Sequence, residues 1–507
     1  MIEIDNIFFI CILAPRKQVY QNKKALVKVN NDYKYILSSL NMRIPKKQRA
    51  LVLGGGGALG AYEAGVIKIL CQEIYKQDNK YKDEKNNPQL FDIIAGTSIG
   101  AMNGAVLLSE FLNTKRQNER EGKRVIFKDC WDEAVEKLYE FWKKQLASNP
   151  DITEIQKPWY DKWKDKKNNN NPDIACEETA RRYYSVKKLL QGGAPNIYEF
   201  SKSIEDKKFF DKNNKWYLYD NKRLKESIKQ YVKSTILTDY NKDEPRLLVF
   251  AVDVAEGKTV TFDSYQNSIA EKNIDEQESE NKSNHIKNGI SIEQIMASGT
   301  LPGFYEYREI DEKKFWDGGL LSNVPFRELL QAHKEYWVNI VSKKDKNNIP
   351  DLEVYIVNLH PSKQLSSPKD YDGVNDRKND IIFGDRSSHY DQSVANLITD
   401  YKDFISEIKD LSLKAISKVE RNRKREKLQK KFDKVMKTAA ISKDSKGNDL
   451  RYKDLIKGQF RLSKVQRIEF NDYTNSIYGK IGDFSSNTIN KLIEKGEQDA
   501  LSAFNNN

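Results

Sequence analysis

Seven stretches of the chain are strand-like, "ALVLGG", "FDIIAG", "RLLVFAVDV", "KTVTFDS", "KKFWDGG", "LEVYIVNLH" and "VQRIEF", and several are nearly continuous apolar runs, as in strands buried on both faces. Between several of them the apolar positions fall three and four residues apart, as in Ala58–Tyr75 and Gly100–Leu112, which predicts helices. Strands alternating with helices imply an α/β sandwich with a largely parallel sheet. The pattern divides the 507 residues into an N-terminal extension (1–48), a central α/β domain (49–361) and a C-terminal helical region (362–507). A charged, aromatic-rich stretch that includes Trp131, Trp142, Trp159 and Trp163 reads as a helical cap inserted at about 120–240. The segment ending in "KDKKNNNNP" and the stretch 266–289 are too polar for a core and read as surface loops. Helical patterning from Gln392 to Lys437 turns strongly basic over 414–437, and 484–504 has the pattern of a closing helix.

Charge narrows the partners. Lys and Arg outnumber Asp and Glu by 86 to 74, a formal net charge of +12. Between 414 and 437 there are eleven Lys/Arg against three Asp/Glu. A basic balance favours an anionic partner, either nucleic acid or an anionic membrane surface. No nucleic-acid motif accompanies the charge, so no nucleic acid is expected, and the basic run reads either as a solvated helix face or as a peripheral contact with anionic membrane lipid. The run "IFFICIL", Ile7–Leu13, is far too short to span a bilayer and follows Glu3 and Asp5, unlike a secretory signal. It reads as a buried edge strand or terminal helix. Cys11, Cys71, Cys130 and Cys176 are scattered, without a C-x-x-C pair. A reducing, cytoplasmic setting follows. His285, His333, His360 and His389 stand apart from one another, and no loop has calcium-ligand spacing. No metal and no cofactor is expected.

The chemistry starts at "RALVLGGGGALGAYEAG", Arg49–Gly65. Gly55 to Gly60 satisfies G-x-G-x-x-G, and glycines at a helix start let backbone N–H groups approach an anion closely. A cofactor pyrophosphate and a developing oxyanion both fit such a loop. A dinucleotide-dependent oxidoreductase would need a carboxylate at the end of its second strand. That strand, Phe91–Ala95, ends instead in "GTSIG", with Ser98 between Gly96 and Gly100 and a small-residue helix after it. This is G-x-S-x-G on a strand–turn–helix, a nucleophile elbow. An activated serine needs a base. Asp317, in "FWDGGLLSNVP" before Gly318 and Gly319, is one candidate. A Ser–Asp–His esterase is the other arrangement. His333 is formally possible there but lies in a polar helix, so His360, at the end of "VYIVNLH", is its plausible third member.

Taken together, the glycine loop, "GTSIGAMNG", "ASGTLPGFY" and "DGGLLSNVP" resemble, in order, the motifs of the patatin-like phospholipases. "GDFSSNTINKLIEKGEQDA" resembles that family's closing helix. The resemblance implies a three-layer α/β/α fold and a lipid acyl hydrolase without a catalytic histidine. Its nucleophile matches Ser98, its dyad aspartate Asp317 and its oxyanion-hole loop Gly55, Gly56 and Gly57. Many members carry Arg or Lys just before the loop's last glycine, whereas this chain has Leu59. Stabilisation of an oxyanion would then rest on backbone N–H groups and the helix dipole. A non-catalytic protein that kept the fold to bind membranes or a partner is the remaining alternative.

Overall fold

The computed structural model describes residues 44–77, 87–148, 186–201 except 188 and 191, 217–265, 289–343, 349–385 except 365, 388–443, 449–453, 459–471 and 479–505. Ile7–Leu13, Trp159, Trp163, the "KDKKNNNNP" segment and most of the polar stretch 266–289 lie outside the described residues. The strands are β1 (Lys47–Leu53), β2 (Ile93–Thr97), β3 (Glu199–Phe200), β4 (Tyr219–Asp220), β5 (Arg246–Asp253), β6 (Lys258–Asp263), β7 (Arg308–Ile310), β8 (Lys313–Asp317), β9 (Asp351–Asn358), β10 (Ala439–Lys443), β11 (Asp449–Arg451) and β12 (Leu462–Glu469). The longer helices are α1 (Gly60–Gln77), α2 (Ile99–Arg120), α3 (Phe127–Glu140), α4 (Lys222–Tyr231), α5 (Ile292–Ser298), α6 (Phe326–Lys343), α7 (Tyr371–Phe383), α8 (Ser388–Ser417), α9 (Asn422–Met436) and α10 (Ser486–Asn505).

One mostly parallel sheet runs β12-β9-β1-β2-β5-β8-β7, with β6 also paired to β5. β12, β9, β1, β2 and β5 are mutually parallel, while β6, β7 and β8 join antiparallel. Helices cover both faces, and alternation along β1 shows why its sequence is apolar throughout. Leu51 and Leu53 point into one core with α1, α2 and α3, while Ala50 and Val52 point into the other with Phe326 and Leu329. β12 comes from the C-terminal region and pairs with β9, so residues beyond 361 complete the same sheet. Trp131 and Trp142, read from the sequence as part of a cap, are fully buried in the larger core. The basic helical stretch is two helices, because α8 stops at Ser417 and α9 starts at Asn422. Among the described residues no helix is long and apolar enough to cross a membrane.

β5 arranges everything that follows. Leu248 pairs with Ala95 of β2 and with Asp263 of β6, so β2 and β6 occupy opposite edges of β5. Val252 pairs with Thr259 of β6 and with Trp316 of β8, so β8 shares the edge used by β2. β2 ends at Thr97 opposite Phe250, and β8, running the other way, ends at Asp317 opposite Ala251. The C-terminal ends of two strands therefore meet head to head along one edge.

The closing helix α10 packs against α1 through two glycines. A Cβ on Gly496 would stand 2.2 Å from the Tyr62 carbonyl oxygen, and one on Gly65 would stand 2.0 Å from that of Ile493. Neither clash can be relieved by turning a side chain, since both neighbours are backbone. Gly496→Ala is therefore expected to lower unfolding free energy by about 1–3 kcal/mol, the usual cost of overpacking, as read by urea denaturation.

Candidate active site

Gly96 and Gly100 allow the turn after β2. A Cβ on Gly96 would lie 2.5 Å from the Gly100 carbonyl, and one on Gly100 would lie 2.5 Å from the Leu53 carbonyl. The helix thus starts in direct contact with the end of β1. Ser98, at the apex, has φ 54° and ψ −122°, a conformation that L-residues rarely adopt and that costs on the order of 1–3 kcal/mol. The surroundings hold it there. The Ser98 N–H donates to Ser298 Oγ at 2.8 Å, and Ser298 Oγ donates to the Phe250 carbonyl at 2.6 Å. The Ser98 carbonyl accepts from the N–H groups of Ala101 and Met102. Its hydroxyl makes no cap bond to the helix it precedes, so Oγ is left to face the cavity.

Asp317 ends β8 beside it and is only 2% exposed. Its N–H donates to the Thr300 carbonyl at 2.9 Å, and its Oδ1 accepts the Gly319 N–H at 2.7 Å. Burial pushes its carboxyl up to about 7, against the pull of the Gly319 N–H and the Ser98 hydroxyl, which both favour the charged form. Gly318 is needed for this approach, because a Cβ there would meet the Phe250 carbonyl at 2.5 Å and the Thr97 methyl at 3.1 Å.

The glycine loop lies against the pair, but its three glycines differ in what they do. The Gly55 N–H is already spent on the Asn323 carbonyl at 3.2 Å. The sequence reading of Gly55 as an oxyanion donor is therefore corrected: its contribution is closeness. A Cβ on it would stand 3.0 Å from Ser98 Cβ and 2.4 Å from Asn323 Oδ1. Gly56 and Gly57 line the cavity beside Ser98. Gly57 has φ +56° and presses on the Ile481 carbonyl, 2.4 Å from where a Cβ would be. Leu59 is fully buried in the larger core and brings no charge to the loop.

Asn323 and His360 clamp the loop from behind. Asn323 Nδ2 donates to the Gly55 carbonyl at 3.0 Å and to the Phe383 carbonyl at 2.7 Å. The Gly55 carbonyl also acts on the His360 ring as an acceptor. His360 Nδ1 lies 3.2 Å from Asp380 Oδ1, which also receives Lys480 Nζ at 2.9 Å. Burial holds the His360 imidazole below its ordinary range. The Asp380 carboxyl, which burial would lift, is held below its range by His360 and Lys480. His360 thus lines the same cavity as Ser98 but is engaged with Asp380 and Gly55. His333 is not in the cavity: it is buried in α6, its Nε2 2.8 Å from the Pro350 carbonyl, and burial drives it down to about 3. His389 lies in α8, and His285 lies outside the described residues.

Ser98 and Asp317 open into a cavity of about 110 Å³. Its far walls are apolar and aromatic, with Leu190, Tyr198, Tyr219, Leu224, Phe304 and Phe484 among them. No Lys or Arg is among the residues lining it, and no cluster of metal-ligating residues occurs among the described residues. Sequence reasoning missed Ser298, Asn323 and Asp380. The first two stand inside quoted motifs, "ASGTLPGFY" and "DGGLLSNVP", where their polarity among apolar and glycine neighbours was the available signal.

A family model described as patatin-like phospholipase matches residues 51–330. Over 85 residues the chain is 39% identical to lysophospholipase nte1 of Aspergillus terreus, a stretch amounting to 17% of this chain and 5% of that much longer protein. Among solved structures, VipD from Legionella pneumophila aligns over 91% of this chain and 67% of its own, with a TM-score of 0.28 and 12% identity, too distant to bear on the site.

Asp317 yields a test by itself. Its folded-state pKa exceeds its unfolded one, so the folded protein binds the extra proton and stability falls as pH rises from about 4 to about 7. Asp317→Asn removes that penalty. Its stability advantage over the wild type should grow by roughly 2–3 kcal/mol between pH 5 and pH 8, measured by denaturant unfolding at both.

Proposed function

Since the chain belongs to the patatin-like phospholipase family, we propose that it is a lipid acyl hydrolase, cleaving carboxylic esters of membrane phospholipids or related glycerolipids through a Ser98–Asp317 dyad. The observation that carries this reading is the meeting of Ser98 and the buried Asp317 in the wall of a mostly apolar cavity. In the first step Ser98 Oγ bonds to the ester carbonyl carbon while its proton passes to Asp317. The carbonyl oxygen becomes an oxyanion, met by the N–H groups of Gly56 and Gly57. Collapse breaks the bond to the leaving alcohol, which takes the proton back from Asp317. The acyl-enzyme then yields to water by the same steps, with Asp317 again the base. A carboxylate at its ordinary pKa of about 3.9 is a weak base; burial against the apolar cavity makes this one competent near neutrality. The aromatic wall takes the acyl chain. In this reading the basic residues between 414 and 437 draw the protein to anionic headgroups.

Ser98→Ala should abolish both ester hydrolysis and labelling by a fluorophosphonate probe. Asp317→Asn, which keeps the shape but cannot accept the proton, should lose about 10³-fold or more in kcat on a soluble ester. In the wild type kcat/KM should climb with pH to a plateau, with a midpoint near 7. His360→Gln should keep that midpoint and stay within about tenfold of the wild-type rate, because in this reading the lost contacts, to Asp380 and Gly55, take no part in the proton transfer. A midpoint that vanished with His360 would instead support the Ser–Asp–His arrangement.

Headgroup attraction has its own signature. Reversing Lys424, Arg425, Lys430 and Lys431 to Glu should cut binding to anionic vesicles, and added salt should mimic the effect on the wild type, since each near-surface cation contributes about 1 kcal/mol before screening. Turnover of a soluble short-chain ester should not change.

A further inference from the structure

Helix α8 is amphipathic in the wrong sense for a soluble protein. Its polar side faces the body of the molecule. Asp391 pairs with Arg327 at 3.0 Å, Gln392 accepts from Arg467 at 2.7 Å, Thr399 Oγ1 donates to the Phe460 carbonyl at 2.9 Å, and Asp403 pairs with Arg461. Its apolar side faces out. Leu397, Tyr401, Phe404, Ile408 and Leu411 recur at intervals of four and three, one stripe along the helix, with Leu397 55%, Phe404 60% and Leu411 65% exposed. The ion pairs fix the orientation, so the stripe cannot roll inward without breaking them. An exposed apolar face of this length marks a surface built to be covered.

Two neighbours say by what. Along the chain, the residues shortly before α8 include part of the cavity wall and exposed apolar side chains. Phe383 lines the cavity, and the residues just before it, Ile381 and Ile382, are exposed, as are Leu320 and Leu321 directly after cavity-lining Gly319. On the other side lies α9, which buries no residue and carries seven Lys/Arg against two Asp/Glu, with Leu428 and Val435 on its surface. An apolar face beside a basic helix suits an anionic bilayer, with hydrocarbon meeting the stripe and headgroups meeting the cations. Pairing with a second copy through α8 would instead bring two such basic helices together.

We propose that the outward face of α8 inserts into the headgroup–acyl boundary of an anionic bilayer and seats the mouth of the cavity on the membrane. This rests on the lipid-hydrolase reading of the cavity and adds to headgroup attraction a binding component that salt does not remove.

The test uses the full chain and phosphatidylcholine vesicles containing phosphatidylserine, in a flotation assay at low salt and at about 0.5 M salt, where surface charges are screened beyond about 4 Å. The wild type should keep a salt-resistant bound fraction. The combined variant Leu397→Ser, Phe404→Ser, Leu411→Ser should lose at least tenfold in vesicle partitioning at high salt and a similar factor in hydrolysis of vesicle lipid. Its unfolding temperature and its turnover of a soluble ester should match the wild type. Wild-type protein that leaves the vesicles entirely at high salt, or a variant that binds as well as wild type, overturns the proposal. So does a variant that only converts a dimer to a monomer in sedimentation, which would give the stripe to a second copy. Failure of the hydrolase reading looks different: a chain that inserts by this face yet cleaves neither vesicle lipid nor soluble ester keeps the insertion surface and loses the enzymology.

Discussion

Two strands compete for one edge of β5, and neither can run its full length. β2 holds that edge as far as Phe250 and β8 holds it from Ala251. Because one is parallel and the other antiparallel to β5, the two C-terminal ends abut, and the residue after β2 must lie beside the last residue of β8. Ser98 and Asp317, 219 positions apart in the sequence, are thus neighbours by sheet register before any side-chain interaction is considered. The glycines of both turns follow from the same crowding. Side chains at 96, 100 or 318 would occupy the space through which the strand ends pass.

Register places the pair, but polar side chains that contact both turns hold it. Ser298 reads the backbone of Ser98 and of β5 at once, with one oxygen accepting from the first and donating to the second. Asn323 does the same for the glycine loop, bonding both ends of Gly55 through its own carbonyl and its amide. Behind it, His360, Asp380, Lys480 and Asp376 form a buried group in which each carboxylate has a cation within reach. Lys480 also anchors the turn whose next residue, Ile481, presses on Gly57. A second buried network lies under the loop. Asn103 donates to Glu63 at 2.8 Å and to the Gly60 carbonyl at 3.0 Å while accepting from Trp142 Nε1. Burial drives the Glu63 carboxyl well above its ordinary range, against the pull of its hydrogen bonds to Asn103 and Gly54.

Much of this was legible in the sequence, for reasons that differ by element. Strands β1, β2, β5 and β9 announce themselves because burial on both faces demands continuous apolar residues. The elbow and the "DGG" turn announce themselves because close backbone contact demands glycine. Ser98 and Asp317 are readable for the same reason: each is a polar residue at a strand end beside glycines, Ser98 between Gly96 and Gly100 and Asp317 just before Gly318 and Gly319. What could not be read is whatever depends on contacts between distant segments. Nothing in "SNVP" says that Asn323 will claim the Gly55 amide, and that contact is what removes Gly55 from the donors. Nothing near His360 says that Asp380 will meet it. The inverted face of α8 was hidden as well, because periodicity reveals that a helix has two faces and not which of them looks inward; the partners Arg327, Arg461 and Arg467 decide that.

The cavity ties stability and proposed chemistry to one property, its mostly apolar wall. An apolar lining suits an acyl chain, and the same lining is what withholds solvation from Asp317. That carboxylate costs the folded protein stability at neutral pH and gains basicity in proportion, since both follow from one shift in pKa. Leu59 is fully buried in the larger core and is not among the cavity's lining residues, so it brings no charge to that wall. On the proposed reading, an oxyanion would be met by backbone dipoles of the glycine loop and of the start of α2 rather than by a side-chain cation. In the proposed dyad the strength of the base therefore comes from burial.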